Sequence, residues 1–290
     1  MKPIRKAVLP VAGLGTRVLP ATKSIPKEML PVFDRPAIQY VVDEAIEAGI
    51  EHFVFVTGRN KGAIEDYFDR AYELEATLAE KGKTRVLAEL DETRAKPGSM
   101  SFVRQQAPLG LGHAIWCARD VIGHEPFAIL LPDMIVKGQP SCLSQLVSAY
   151  NTVGGNIIAV EPVDPSQTGS FGIVDVEPSD KALKPLKGMV EKPAPADAPS
   201  NLMITGRYLL QPEIFELLEQ QKPGAGGEVQ LTDSLFALMA KQDFHALAYD
   251  GCSYDCGNKI GYLEATLAHA LADKEFGAEA LNLLKAYADA

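Results

Sequence analysis

Apolar residues run unbroken through Ala7-Val8-Leu9-Pro10-Val11-Ala12, stop at Gly13, and recur at Phe53-Val54-Phe55-Val56 within residues 52–57. Runs this short, closed by glycine or a turn residue, predict strands buried on both faces. Between them the period changes. Ile38, Val41, Val42, Ala45 and Ile46 form one stripe after Pro36, and Gly49 ends it, which predicts a helix over 36–48. From Asn60 to about Arg94 the chain is helical in pattern and highly charged, as a solvated excursion from the core would be. A short strand over 101–104, a helix over 112–121 and a third buried strand over 127–131, ending in Pro132-Asp133, complete a strand–helix alternation. That rhythm predicts an α/β fold with a mostly parallel central sheet flanked by helices.

After Asn156 the connections shorten. Strands are predicted over 157–160, 171–176, 187–191 and 202–210, which makes the sheet mixed, and helices over 212–220 and 231–241. The tail, residues 261–290, reads as helical, with Leu263, Leu267 and Leu271 at i, i+4 and i+8; such a stripe serves core packing more often than an interface. Pro193 to Pro199 is a proline-rich loop, too short for a linker. No internal repeat is visible. The organisation expected is one domain over 1–290: a first half at about 1–135, with the helical excursion at about 60–97, a second half at about 136–260, and the helical tail.

Composition narrows the partners. The chain has 290 residues, 47% hydrophobic and 23% charged, with a net charge of −10. That balance argues against a general nucleic-acid binder. No apolar stretch is long enough to span a bilayer, and the run after Met1–Lys6 is too short for a secretory signal, so no membrane association and a cytoplasmic location are expected. Cys117 and Cys142 stand in apolar settings and read as buried thiols. Cys252 and Cys256 form a C-x3-C pair without a second pair or a histidine at ligand spacing, so reduced thiols are expected rather than zinc.

On this acidic chain, residues 13–31 form a positive island: Gly13-Leu14-Gly15-Thr16-Arg17 leads to Lys23 and Lys27 against a single acid, Glu28. Glycines let backbone N–H groups approach phosphate oxygens, and the cations can neutralise a triphosphate. A solvated loop with chance charges is the competing reading. A dinucleotide fingerprint fails in detail, because Val18 occupies the third glycine position and no acid closes the second strand; the G-x4-G-K-[ST] phosphate loop is absent too. In open α/β sheets ligands sit beyond the carboxyl ends of the strands, so the Gly13 loop and Asp133 belong at one edge.

The loop A-G-L-G-T-R-x-L-P followed by P-K-E-M-L-P resembles the sugar-phosphate nucleotidyltransferase superfamily. So do, in order, "RQQAPLGLGHA" from Arg104, "LLPD" from Leu130, "FGIVD" from Phe171, "VEKP" from Val190, "TGRY" from Thr205 and "YDCGNK" from Tyr254. The resemblance covers roughly residues 4–260 and implies a Rossmann-like nucleotidyltransferase fold. Related thymidylyltransferases read Gly-Gly at the loop start and Gln after the Pro-Lys; Ala12-Gly13 and Glu28 here resemble the uridylyl form.

The resemblance implies a reaction of UTP with glucose 1-phosphate to give UDP-glucose and pyrophosphate, with magnesium, in a homo-oligomer, often a tetramer or dimer. It carries Arg17 and Lys27 to the triphosphate, and Ala12, Gly13, Gly15, Thr16, Glu28, Gln105 and Gly110 to UTP and its base. Gln105 could both accept from uracil N3–H and donate to a ring carbonyl, with Gln106 the neighbouring rival. Asp133 and Asp255 match the metal carboxylates. Gly172, Glu191, Lys192, Thr205, Gly206 and Tyr208 match the sugar-phosphate pocket. Strand alternation sends Glu191 and Lys192 to opposite faces unless one sits at a strand end or bulge, and Pro193 predicts an extended conformation for Lys192. No nucleophile–histidine–carboxylate set is evident, and His113 and His124 read as structural. A sister enzyme using dTTP or another sugar 1-phosphate, and a non-catalytic sensor of the same fold, remain alternatives at this point.

Overall fold

The computed structural model describes residues 1–224 and 227–288. In chain order its elements are β1 (Lys6–Pro10), β2 (Pro31–Val32), β3 (Arg35–Pro36), α1 (Ala37–Glu47), β4 (His52–Thr57), α2 (Gly62–Phe68), α3 (Tyr72–Glu80), α4 (Thr84–Thr93) and β5 (Met100–Arg104). There follow α5 (Leu111–Cys117), α6 (Arg119–Ile122), β6 (Phe127–Leu130), β7 (Met134–Lys137), α7 (Cys142–Val153), β8 (Asn156–Pro162), β9 (Gly172–Val176), β10 (Leu183–Glu191) and β11 (Leu202–Leu210). The chain closes with α8 (Ile214–Gln220), α9 (Leu231–Met239), β12 (Phe244–Ala248), β13 (Cys252–Asp255), α10 (Lys259–Ala272) and α11 (Gly277–Ala288). The strands β7, β12 and β13 and the helix α7 lie in stretches where the pattern predicted nothing. The predicted tail reaches Ala290, of which 289 and 290 lie outside the described residues.

Among the described residues nine strands form one sheet in the order β5-β4-β1-β6-β11-β8-β12-β10-β9. The first four are parallel, as alternation with helices requires. The mostly parallel sheet expected from the sequence is corrected beyond that point: β11 runs antiparallel to both β6 and β8, and β10 antiparallel to β12 and β9, with only β12–β8 parallel. Hydrophobic runs identify strands buried on both faces; direction is set by connections the runs do not encode.

Strand alternation gives the sheet two cores. Val8, Val54 and Ile129 pack with Ala114 and Ile115 of α5, Phe215 and Leu218 of α8, and Leu231 and Leu235 of α9. Leu9, Phe53, Phe55 and Leu130 pack on the other face with Ile38, Val41 and Ala45 of α1 and Leu143 and Leu146 of α7. Ile46, expected on the α1 stripe, is exposed, while Glu44 points inward. The charged excursion begins later than predicted. Lys61, Ile64 and Phe68 are buried, whereas α3 and α4 bury no residue. Leu263 and Leu271 of the tail are exposed rather than packed. All four cysteines are free, with Cys142 and Cys256 buried, Cys117 half-buried and Cys252 exposed. Among the described residues no helix is long and apolar enough to cross a membrane.

Candidate active site

The parallel strands β5, β4, β1 and β6 release their chain at a common edge, and the predicted nucleotide residues collect there. Ala12, Gly13 and Thr16 after β1, Gln105 after β5 and Asp133 after β6 line one cavity of about 410 Å³, together with Lys27 and Gly110. The loop after β1 is braced from within: the Thr22 hydroxyl donates to the Gly15 carbonyl at 2.7 Å.

Charge is organised around two aspartates. Lys27 Nζ donates to Asp133 Oδ2 at 2.5 Å. Arg17 reaches both acids, at 3.9 Å from Asp133 and 4.0 Å from Asp255. Burial opposes ionisation of Asp133, but the charge and hydrogen bond of Lys27, helped by Arg17, hold its carboxyl below the ordinary range. Burial likewise works against the Lys27 ammonium, and Asp133 and Glu28 more than offset it, so its pKa is raised.

Asp255 is far from Asp133 in sequence and arrives through a two-stranded ribbon. β13 pairs antiparallel with β7, setting Asp255 opposite Met134, and Cys256 N donates to the Asp133 carbonyl at 2.7 Å. Gly257 N and Asn258 Nδ2 donate to the Asp255 carboxylate at 2.8 and 3.0 Å and orient it. A Cβ on Gly257 would stand 2.8 Å from Asp255 Oδ1 and 2.9 Å from Asp133 Oδ2, so glycine keeps open the space between the two acids. Two hard oxygen donors around that space, with cations already drawn to it, fit a magnesium ion bound by one or two carboxylates.

The segment carrying Asp133 is clamped by a residue the sequence reading passed over. Arg207, in the "TGRY" motif, is fully buried and donates to the Leu131 carbonyl at 3.2 Å and the Met134 carbonyl at 2.7 Å, on either side of Asp133. Its charge is met by Glu44 of α1 at 2.8 Å. Glu44 stands three residues after Val41, on the apolar stripe, and a carboxylate at such a position is the signal that could have found it.

Packing sets the surroundings of the other expected residues. Glu28, expected at the base edge, is buried; its Oε2 accepts from buried Lys61 at 2.8 Å, while its Oε1 has no hydrogen-bond partner among the described residues. Burial pushes its carboxyl pKa up, against the pull of Lys61 and Lys27. Gly110, at φ 98°, was expected to admit the base. It admits backbone as well: a Cβ there would stand 2.8 Å from the Val229 carbonyl and from Glu228 Cβ, so this segment crosses directly over it. Glu228 thereby joins the cavity wall, unsignalled by any motif. Gln105 is buried and its rival Gln106 exposed.

On the sugar side, Glu191 and Lys192 line a second cavity of about 650 Å³, which also shares Glu228. Glu191 ends β10 in register with Gly172, and accepts from the Thr232 hydroxyl at 2.7 Å. Lys192 is not extended. It adopts a left-handed φ of 47°, and this break in alternation turns its side chain to the same cavity as that of Glu191. Thr205 and Tyr208 are buried in β11; Thr205 donates to the Ala159 carbonyl, and the Gly206 carbonyl accepts from Leu131 N. Thr205 and the Gly206 backbone are thus tied into the fold, while Tyr208 lies within electrostatic reach of Glu191, and burial raises its phenol pKa.

A glycine loop and paired cations facing two acids at the carboxyl edge of parallel strands describe a protein that handles a nucleotide polyphosphate. A family model described as nucleotidyl transferase matches residues 6–271, and the chain belongs to that family. It is 54% identical over 260 residues to the UTP–glucose-1-phosphate uridylyltransferase of Komagataeibacter xylinus, covering 90% of this chain and 92% of the relative. It is 50% identical over 275 residues to that of Bacillus subtilis (strain 168), covering 95% and 94%. Among solved structures it superimposes on a UTP-bound UGPase from Acinetobacter baumannii with a TM-score of 0.90 at 47% identity, over 97% of this chain and 98% of the other. Its place in the family is therefore with the UTP–glucose-1-phosphate uridylyltransferases.

Proposed function

We propose that the protein transfers a uridylyl group from UTP to glucose 1-phosphate, releasing UDP-glucose and pyrophosphate. The observation that carries this reading is the cluster of Arg17, Lys27, Asp133 and Asp255, of which Lys27 and Asp133 line the cavity that holds Gln105, beside a second cavity holding Glu191 and Lys192. A phosphate oxygen of the sugar attacks the α-phosphorus of UTP in line, and the bond from that phosphorus to the bridging oxygen of pyrophosphate breaks. The attacking oxygen is ionised near neutral pH, so no general base is needed; the protein must position two anions and screen their repulsion. Arg17 and Lys27 serve the triphosphate, Gln105 the base, Lys192 the sugar phosphate and Glu191 the sugar hydroxyls. Gly13, Gly15 and Thr16 supply the loop that receives the phosphates, and Gly172 closes the sugar cavity beside Glu191.

Magnesium, held by Asp133 and Asp255, would neutralise charge on the triphosphate. Lys27 and Arg17 compensate the charge of the two acids. The division of labour follows the chain, with the nucleotide half at about 1–135 and the sugar half at about 136–260 in one functional unit. A homo-oligomer is expected, and the exposed Phe276, Leu281, Leu283 and Tyr287 of the tail support it. A reducing, cytoplasmic setting suits the four free thiols.

The test is incubation with UTP, glucose 1-phosphate and magnesium, following pyrophosphate, repeated with dTTP and with other sugar 1-phosphates. Release with the first pair above all others is expected, and its loss in excess chelator. No release from any pair would refute the reading, and full activity in chelator would remove the metal.

A further inference from the structure

We propose that His113 is a positioning residue for base recognition: its unprotonated Nδ1 pins the Gln105 carboxamide so that only the amide oxygen is left for the base. This deepens the uridylyl-transfer reading and rests on it. Gln105 follows β5, its backbone N–H donates to the Thr57 carbonyl at 2.8 Å, and its side chain lines the nucleotide cavity. Gln105 Nε2 lies 3.0 Å from the Gly110 carbonyl and 3.1 Å from His113 Nδ1.

A carboxamide nitrogen carries two protons, and a carbonyl can only accept. The Gly110 carbonyl therefore settles which end of the amide is nitrogen. The second proton goes to His113, which accepts at Nδ1 when its own proton is on Nε2. Cys117 Sγ lies 3.8 Å from the same Nδ1, farther than the Gln105 nitrogen. Burial, with the Arg119 charge nearby, lowers the His113 pKa and favours the neutral ring that can accept.

The consequence is chemical. With both N–H groups committed inside the protein, Gln105 cannot also donate to a ring carbonyl, the second role open to a carboxamide in general. It presents Oε1, an acceptor. Uracil offers N3–H to such a group, whereas cytosine offers a bare N3 lone pair. One hydrogen bond to Gly110 alone would leave the amide free to swing about its last torsion; the second bond fixes its plane. His113 thus sharpens the choice of uracil over cytosine without touching the nucleotide.

The experiment is calorimetric titration of UTP and of CTP into the full-length protein and its variants. His113→Leu, similar in bulk but without an acceptor, is expected to lower the ratio of UTP to CTP affinity about tenfold, the worth of one hydrogen bond. His113→Asn sets an amide oxygen where Nδ1 stood and is expected to keep the ratio within about threefold of wild type. The KM for glucose 1-phosphate should not move in either. If His113→Leu does not fold, His113→Ala removes the acceptor at this half-buried position with less disturbance. An unchanged ratio in the acceptor-less variant, or an equal fall in His113→Asn, overturns the proposal. Binding needs no turnover, so a wild-type protein that prefers UTP to CTP yet releases no pyrophosphate would defeat the uridylyl-transfer reading and leave the His113 result readable.

Discussion

Lys192 shows how a single backbone angle assigns a side chain to a site. At the end of β10 an extended residue would face away from Glu191; at φ 47° it shares the Glu191 cavity, with Nζ 3.6 Å from Glu191 Oε1. A non-glycine residue held in the left-handed region persists only where its surroundings impose it, and such residues concentrate at functional positions. Lys192→Ala is expected to raise the glucose 1-phosphate requirement and lower kcat, together on the order of 100-fold in kcat/KM, because an oriented charge is worth most in the transition state. Lys192→Arg should rescue in part. Titration of UTP alone into Lys192→Ala decides the assignment: a large loss of UTP affinity would move this lysine to the triphosphate. Gly257→Ala tests the other end of the site. Its methyl group would press on both carboxylates, so a higher magnesium requirement is expected with little change in melting temperature; an unchanged magnesium dependence would mean the acids have room to spare.

At the scale of elements, the Glu44–Arg207 pair joins α1, β11 and the turn between β6 and β7. Arg207 is wholly enclosed, so its charge requires both Glu44 and the carbonyls of Leu131 and Met134. Glu44→Ala would leave a buried guanidinium without its counter-charge, and a loss of about 3–5 kcal/mol is expected in urea titrations. A loss below about 1 kcal/mol, the range of surface pairs, would show that water or a rearranged side chain replaces Glu44. The helices α3 and α4 are the contrast. They are tied by ion pairs such as Arg94–Glu75 at 2.8 Å and bury nothing, so their charges have little leverage on global stability.

The whole molecule carries a net charge of −10, and its substrates are anions. Arg17 and Lys27 are concentrated at one sheet edge, a local positive patch against that background. Stability also has a pH signature. The His269 imidazole packs at a tilt against Tyr40 of α1 with ring centroids 4.3 Å apart, and burial lowers its pKa, only partly offset by a bond to the Ala265 carbonyl. Below pH 6.5 the unfolded chain takes the proton while the folded one resists, so stability falls as pH drops through that window until the folded group also titrates. His269→Asn is expected to flatten the fall in melting temperature below pH 6.5. An unchanged slope would assign the acid sensitivity to other groups, of which the depressed His113 is the first candidate.

From the sequence alone came the local elements and the chemistry they carry. The periods over 36–48, 52–57 and 202–210 match α1, β4 and β11 closely, because hydrophobic spacing records which faces are buried. Ordered motifs in the same chain pointed to Arg17, Lys27, Gln105, Asp133, Lys192 and Asp255. Tertiary structure decided what depends on residues far apart in the chain. β11 inserts antiparallel between β6 and β8, the β7–β13 ribbon brings Asp255 to Asp133, and Val229 crosses over Gly110. Partners set roles that residue type left open. Lys61 pairs with buried Glu28, Glu44 commits Arg207 to the Asp133 turn, and His113 Nδ1 meets the Gln105 amide nitrogen. Local pattern fixes which surface a residue presents; only packing fixes which neighbour satisfies a buried charge or amide, and that pairing is where the remaining chemistry of the site resides.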